Sequence, residues 1–354
     1  MPDEILIVAP PYNSIPIDGF GAIEKVLLKR GEILKKLGFN TSFVVPYGSD
    51  VPFAENIFYI KKVNTGLNDE SISKVLKIYN SYKNLKIEGP FDILINETPL
   101  YDPINFYNFK KIFGTSKRID VLHGNAMRAV KNKRPPLLKF PLFGSLNTRI
   151  DSKLKYNGWD SAYFPNGIDL PNSRKINSEG EEFLIFIGRI TPIKGVEKAI
   201  ELANKSGKEL IMFGPIQDYE YFNRIVKPSV ERGIVKYMGN KPWSIVEEYL
   251  SRAFALVFTS VFNDPQPTVL LEALSYGVPV VGTFPAPYSG FYDICNETNS
   301  ITANSVEELI PLFDELPSLS RQKIYGDTKT IWSWENIARK YYLPVFNSII
   351  NSNK

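Results

Sequence analysis

The sequence predicts an α/β protein of two units in tandem, each a parallel sheet with crossover helices. Three observations carry that expectation. Short apolar runs alternate with longer segments of helical periodicity along the whole chain, the pattern of strands buried on both faces and the helices that cover them. The polar stretch 171–180 separates two such series. A length of 354 residues suits two cores better than one, at roughly 150 residues per domain.

The first series opens with a strand over 5–9 and an amphipathic helix over 22–37. The apolar face of that helix is Ile23, Val26, Leu27, Ile33, Leu34 and Leu37, and Gly38 ends it. Further strands are expected over 41–45, 92–96, 118–122, 140–143 and 161–164, and Pro165-Asn166-Gly167 reads as a turn. The second series has strands over 183–187, 209–213, 235–238, 255–259 and 279–281. Its helices fall near 195–206, 218–232, 243–253 and 268–276. Residues 334–350 are amphipathic, with a kink expected at Pro344.

Composition excludes several classes. Hydrophobic residues make up 44% and charged residues 23%, which rules out a disordered, collagen-like or coiled-coil chain. The single Cys295 cannot close an intramolecular disulfide, which points to a reducing compartment. With one His and one Cys, no His/Cys metal site of three or four ligands is expected. The first apolar run stops at Pro10 and reads as a strand, and no stretch reaches the roughly 18 apolar residues of a membrane span. The expectation is therefore a soluble, cytoplasmic protein. Charge is uneven, because residues 1–167 hold 23 Lys/Arg against 16 Asp/Glu and the remainder holds 19 against 22. A basic half suits nucleic acid, an anionic membrane or phosphorylated small molecules. Nucleic acid is set aside because no zinc-finger spacing or RNP-type motif is present.

Four motifs lie where strands end and helices begin, the places at which backbone amides and the helix dipole favour an anion. Gly19-Phe20-Gly21 precedes the first helix, where two glycines let the backbone approach a phosphate or sugar closely. In Gly188-Arg189-Ile190-Thr191-Pro192-Ile193-Lys194-Gly195, Arg189 and Lys194 are placed to meet one diphosphate, Arg as a fork and Lys as a point charge. Asp264 and Glu272 bracket a helix start near Thr268, leaving the amides of Thr268, Val269 and Leu270 for a phosphate. Finally, Leu122-His123-Gly124-Asn125 puts the only histidine at a strand end.

These motifs, in this order, with Pro165-Asn166-Gly167-Ile168-Asp169, resemble glycosyltransferase family 4. Tyr237-Met238-Gly239-Asn240, the 247–250 helix, Leu271-Glu272-Ala273-Leu274 and Gly277-Val278-Pro279-Val280 strengthen the resemblance. It implies the GT-B fold, two Rossmann-like domains facing across a cleft. The domains would be residues 1–167 on the acceptor side, 168–331 for the donor nucleotide, and a segment 332–354 that crosses back to the first. It also implies a retaining transfer from a nucleotide diphosphate sugar, with no cofactor and no metal, to a sugar or lipid-linked hydroxyl. Gly19 and Gly21 would line the pyrophosphate and reacting centre, and His123 would face the donor sugar. Gly188, Arg189 and Lys194 would hold the diphosphate, Met238, Gly239 and Asn240 the base, and Glu272 the ribose. Asp264 stands where the family has Glu, and Gln266-Pro267 replaces its Phe-Gly, which puts the donor sugar in question. The competing readings are a sugar-nucleotide 2-epimerase of the same fold and a silent nucleotide-sugar-binding subunit.

Residues 127–140 carry Arg128, Lys131, Lys133, Arg134 and Lys139 without an acidic residue, interleaved with Leu137, Leu138 and Phe140. Such a segment suits peripheral, salt-sensitive attachment to the anionic inner face of a membrane.

Overall fold

The computed structural model describes residues 3–16, 21–63, 80–82, 85, 87, 91–98, 117–123, 131, 142–173 and 176–351. They fall into two compact units. One comprises the chain up to Gly167 together with the residues from Trp334 onward, and the other is Ile168–Ser333.

The first unit contains seven described strands, β1 (Glu4–Val8), β2 (Asn40–Pro46), β3 (Ile57–Ile60), β4 (Ile93–Asn96), β5 (Arg118–Leu122), β6 (Leu142–Ser145) and β7 (Ser161–Tyr163). All pair in parallel in the order β3-β2-β1-β4-β5-β6-β7. The central strands are apolar because both faces are covered. Ile5, Leu6, Ile7 and Val8 have no exposed surface, and each such side chain contributes about 1.5–3 kcal/mol. From β1 the chain runs outward to β3 and then returns on the other side of β1 as β4, so the order reverses there. At such a reversal the loops beyond the strand C-termini diverge and leave a crevice. Helix α1 (Ala22–Lys36) begins directly after Gly21. Helix α2 (Thr148–Tyr156) is capped by Asn147, whose Oδ1 accepts from the amide of Ile150 at 2.8 Å. The strand expected over 140–143 runs instead over Leu142–Ser145 in its described part.

The second unit repeats this plan with six described strands, β8 (Phe183–Ile187), β9 (Glu209–Phe213), β10 (Val235–Gly239), β11 (Ala255–Phe258), β12 (Val280–Thr283) and β13 (Ser300–Ala303). They are parallel in the order β10-β9-β8-β11-β12-β13, with the reversal between β8 and β11. Helices α3 (Val196–Ser206), α4 (Trp243–Arg252), α5 (Thr268–Ser275) and α6 (Arg321–Trp332) belong to this unit. The unit ends at Ser333, where the amide of Ile168 donates to the Trp332 carbonyl at 2.8 Å and Ile168 bridges Ser333.

The closing segment belongs to the first unit. It consists of Trp334–Ile337, a π-turn Ala338–Tyr342 and helix α7 (Leu343–Asn351). Pro344 lacks the amide that would bond four residues back, and the π-turn immediately before it takes up the irregularity. Pro228 sits in the same context, after the π-turn Phe222–Val226. The closing segment rests on the Pro165-Asn166-Gly167 turn. A Cβ at Gly167 would lie 2.6 Å from the Trp334 Cα, so only glycine permits that approach.

Candidate functional site

In the second unit, the loops after β8 and β11 meet at the reversal of strand order. After β8, the amide of Gly188 donates to the Phe213 carbonyl at 2.9 Å and that of Ile190 to the Pro215 carbonyl at 2.9 Å, tying this loop to the one after β9. Arg189 follows that path, donating from Nη1 to Gln217 Oε1 at 2.6 Å. Gln217 is a participant that sequence reasoning did not name.

The chain then makes the short turn Pro192–Lys194, and Gly195 takes the left-handed conformation (φ 65°) before α3. A Cβ there would fall 1.9 Å from the Thr259 carbonyl oxygen, so glycine is required twice, by backbone angle and by space. Three bonds fix the turn to the loop after β11. Thr259 Oγ1 donates to the Gly195 carbonyl at 2.8 Å, Ser260 Oγ to the Ile193 carbonyl at 3.2 Å, and the Val261 amide to the same Ile193 oxygen at 3.1 Å. As a result Lys194 Nζ lies 3.1 Å from Asp264 Oδ2, with 18% and 24% of the two side chains exposed. Asp264 itself is held by its backbone, since the Gly290 amide donates to its carbonyl at 2.8 Å.

The pairing of Lys194 with Asp264 bears on what the turn can bind. The pair is largely buried and is itself a charge-assisted hydrogen bond, so a ligand must offer Lys194 more than one carboxylate does. A diphosphate carries more negative charge than one carboxylate, which favours the exchange. Beside this loop, α5 starts at Thr268 with Pro267 before it and no side chain capping it. The first amides of a helix have no acceptor within it, which suits an anion at Thr268 and Val269. Leu270 departs from expectation. Its amide donates to the Pro267 carbonyl at 3.1 Å, because the first turn of α5 tightens.

Glu272 is half-buried on α5. One turn on, the Tyr276 phenol donates to Glu247 Oε1 of α4 at 2.6 Å, and burial with this carboxylate pushes its pKa far up. Met238 and Gly239 end β10, the edge strand two places from β8, and Asn240 follows. Gly239 adopts φ 77°, and its carbonyl accepts from the Gly214 amide at 3.0 Å. Arg189, Lys194, Asp264, Asn240 and the start of α5 follow strand C-termini of one sheet, the side on which parallel sheets bind ligands.

In the first unit, Gly21 caps α1, while Gly19 lies outside the described residues. His123 follows β5 and is buried, and its Nε2 lies 2.6 Å from Glu97 Oε2 at the end of β4. The other carboxylate oxygen of Glu97 is ion-paired with Arg30 of α1, and both side chains are fully buried. Arg30 donates from Nη2 to Asn166 Oδ1 at 2.7 Å and from Nε to the Tyr342 hydroxyl at 3.2 Å. Its guanidinium carbon lies 5.1 Å and 5.4 Å from the ring centroids of Phe164 and Tyr342. Tyr342 donates in turn to the Pro165 carbonyl at 2.5 Å, and burial raises its pKa against the opposing charge of Arg30. The basic stretch 127–140 lies outside the described residues apart from Lys131, which is exposed.

Among the described residues, no group of three His, Cys, Asp or Glu side chains is placed to hold a metal ion. No described helix is long and apolar enough to cross a membrane.

Residues 170–316 match the family model of glycosyl transferases group 1. Among solved structures, a sucrose-phosphate synthase from Thermosynechococcus elongatus superposes with a TM-score of 0.75 at 13% identity, covering 98% of this chain and 99% of that one. AviGT4, a glycosyltransferase involved in avilamycin A biosynthesis, gives 0.67 at 18% identity over 99% of both chains. The fold is that of the GT-B glycosyltransferases. Anabaena Alr3699/HepE, solved in complex with UDP and glucose, gives 0.66 at 13% identity over 98% of this chain and 100% of its own. No curated protein sequence matches the chain. The match over 170–316 spans Arg189, Lys194, Asp264 and the start of α5.

Proposed function

We propose that this protein is a retaining, metal-independent glycosyltransferase that moves a sugar from a nucleotide diphosphate sugar to a hydroxyl acceptor. The observation that carries the reading is the Lys194 turn, locked by three hydrogen bonds to the loop after β11 and set beside the uncapped start of α5. The complex of Alr3699/HepE with UDP and glucose supports a nucleotide-sugar donor.

Negative charge develops on the leaving phosphate oxygen during transfer. Lys194, once it has exchanged Asp264 for the diphosphate, stabilises that charge with Arg189 and the amides of Thr268 and Val269, and loss of one such contact typically costs on the order of 3 kcal/mol of barrier. Asp264, released from Lys194 when the diphosphate binds, is then free to accept from a sugar hydroxyl. Met238 to Asn240 take the base and Glu272 the ribose. Retention rests on the resemblance to family 4, in which the departing phosphate receives the acceptor's proton. The acceptor is a sugar or a lipid-linked hydroxyl, and the charge of 127–140 favours one at an anionic membrane surface.

The test is incubation with a panel of nucleotide diphosphate sugars, with and without hydroxyl acceptors. Slow release of one nucleoside diphosphate without acceptor, and a product of unchanged anomeric configuration with it, are expected. A new sugar nucleotide would show the epimerase instead, and an inverted product would remove retention. Co-sedimentation with anionic but not neutral liposomes at low salt is expected, and protein left in the supernatant would remove the membrane contact.

A further inference from the structure

The buried chain Tyr342–Arg30–Glu97–His123 is not explained by donor binding. It joins the end of β5 to a residue more than two hundred positions later, through two fully buried charges of opposite sign. Fully buried ionic groups are costly unless every partner is in place. Here Arg30 has a carboxylate, an amide oxygen, a hydroxyl and two aromatic faces around it.

The donor set fixes one proton. Glu97, paired with Arg30, is a carboxylate with acceptors only, so the group it meets at 2.6 Å must donate. Nε2 of His123 therefore carries hydrogen, and Nδ1 is the acceptor of the neutral ring. Arg30 already balances the charge of Glu97, so the carboxylate does not call for an imidazolium.

We propose that Glu97 is a positioning residue that locks the His123 ring with hydrogen on Nε2 and Nδ1 as its acceptor, and that Arg30, clamped by Tyr342 of the closing segment and by Asn166, locks Glu97. The consequence for chemistry rests on the transferase reading. A ring so held cannot turn over to exchange its two nitrogens, so the face it offers a sugar hydroxyl is fixed. The family-motif residues Pro165 and Asn166 then serve the lock, through Tyr342 and Arg30, rather than the ligand.

His123 is the only histidine, so every imidazole signal in the labelled protein belongs to it. The experiment is a one-bond and long-range 1H–15N correlation on the ligand-free protein, in wild type and Glu97→Gln. In wild type, a slowly exchanging, downfield ring proton on Nε2 is expected. In Glu97→Gln, that proton should move upfield or exchange faster, while circular dichroism stays native. Turnover should then fall on the order of a hundredfold with donor KM little changed, because a misplaced group costs about that much. A ring proton on Nδ1, a rapidly exchanging Nε2 proton in wild type, or an unchanged signal in Glu97→Gln overturns the proposal. Should Glu97→Gln fail to fold, the wild-type spectrum and Tyr342→Phe decide, the latter being expected to speed exchange of the same proton; an unchanged rate in Tyr342→Phe overturns the clamp. A protected Nε2 proton in a protein that turns over no donor supports the lock and counts against the transferase reading. Turnover with the proton on Nδ1 does the reverse.

Discussion

Both units hold a pair of opposite charges next to a reversal of strand order, yet they treat the charges in opposite ways. In the first unit, Arg30 and Glu97 are fully buried and tied to His123, Asn166 and Tyr342. In the second, Lys194 and Asp264 keep 18% and 24% of their side chains exposed and are ion-paired with each other. A closed network cannot release a member without leaving a buried charge, so it holds geometry. A pair that still reaches solvent can exchange one partner for a ligand without leaving a charge fully buried. The difference suits the first site to holding geometry and the second to exchanging partners.

Mutations can break that comparison, and the largest effect belongs to the closed network. Glu97→Ala should lower the unfolding free energy by about 3–5 kcal/mol, because Arg30 is left buried without its partner. Lys194→Ala should lower it by less, because Asp264 keeps 24% of its side chain in contact with solvent. Denaturant titration compares the two, and equal losses would erase the distinction.

Activity should invert this ranking for the second unit. Lys194→Ala should reduce kcat/KM by on the order of a hundredfold, as expected for one electrostatic contact to the leaving group, in a protein more stable than Glu97→Ala. A turnover assay run beside a melting curve checks both halves of the statement. Next in size is Tyr342→Phe, which deprives Arg30 Nε and the Pro165 carbonyl of a buried partner and should cost about 1–3 kcal/mol of stability. A loss indistinguishable from zero would show that the closing segment does not clamp Arg30. The smallest effect is expected for Asp264→Asn on the binding of a bare nucleoside diphosphate. Releasing Lys194 should leave affinity unchanged or slightly higher, whereas turnover with the intact donor falls. Calorimetry showing weaker diphosphate binding in this variant would place the carboxylate on the ligand's phosphate side.

The sequence exposed the two sheets through their buried strands, because a strand covered on both faces must be an apolar run. It concealed β3 and β13 for the complementary reason. The first is an edge strand that leaves Tyr59 exposed, and the second, Ser300–Ala303, is half polar. Helix α2 escaped notice since Thr148–Tyr156 is mostly polar, although Asn147 was a legible cap. Lys194 and Asp264 were readable from their place between strand end and helix start. Glu97 obeys the same rule at the end of β4 and was readable in the same way. Arg30 left a fainter mark, as a charge set in the middle of the apolar stripe of α1 between Leu27 and Ile33. Its partners Asn166 and Tyr342 lie 136 and 312 positions away, and no local pattern encodes such a contact.

The central claim is that the turn between β8 and α3 holds the donor diphosphate. Titration calorimetry with nucleoside diphosphates, on wild type, Lys194→Ala and Tyr342→Phe, tests it directly. Loss of a charge-assisted bond worth about 1.5–3 kcal/mol should weaken binding by about ten- to a hundredfold in Lys194→Ala. Tyr342→Phe should bind as wild type does. Unchanged affinity in Lys194→Ala would contradict the account.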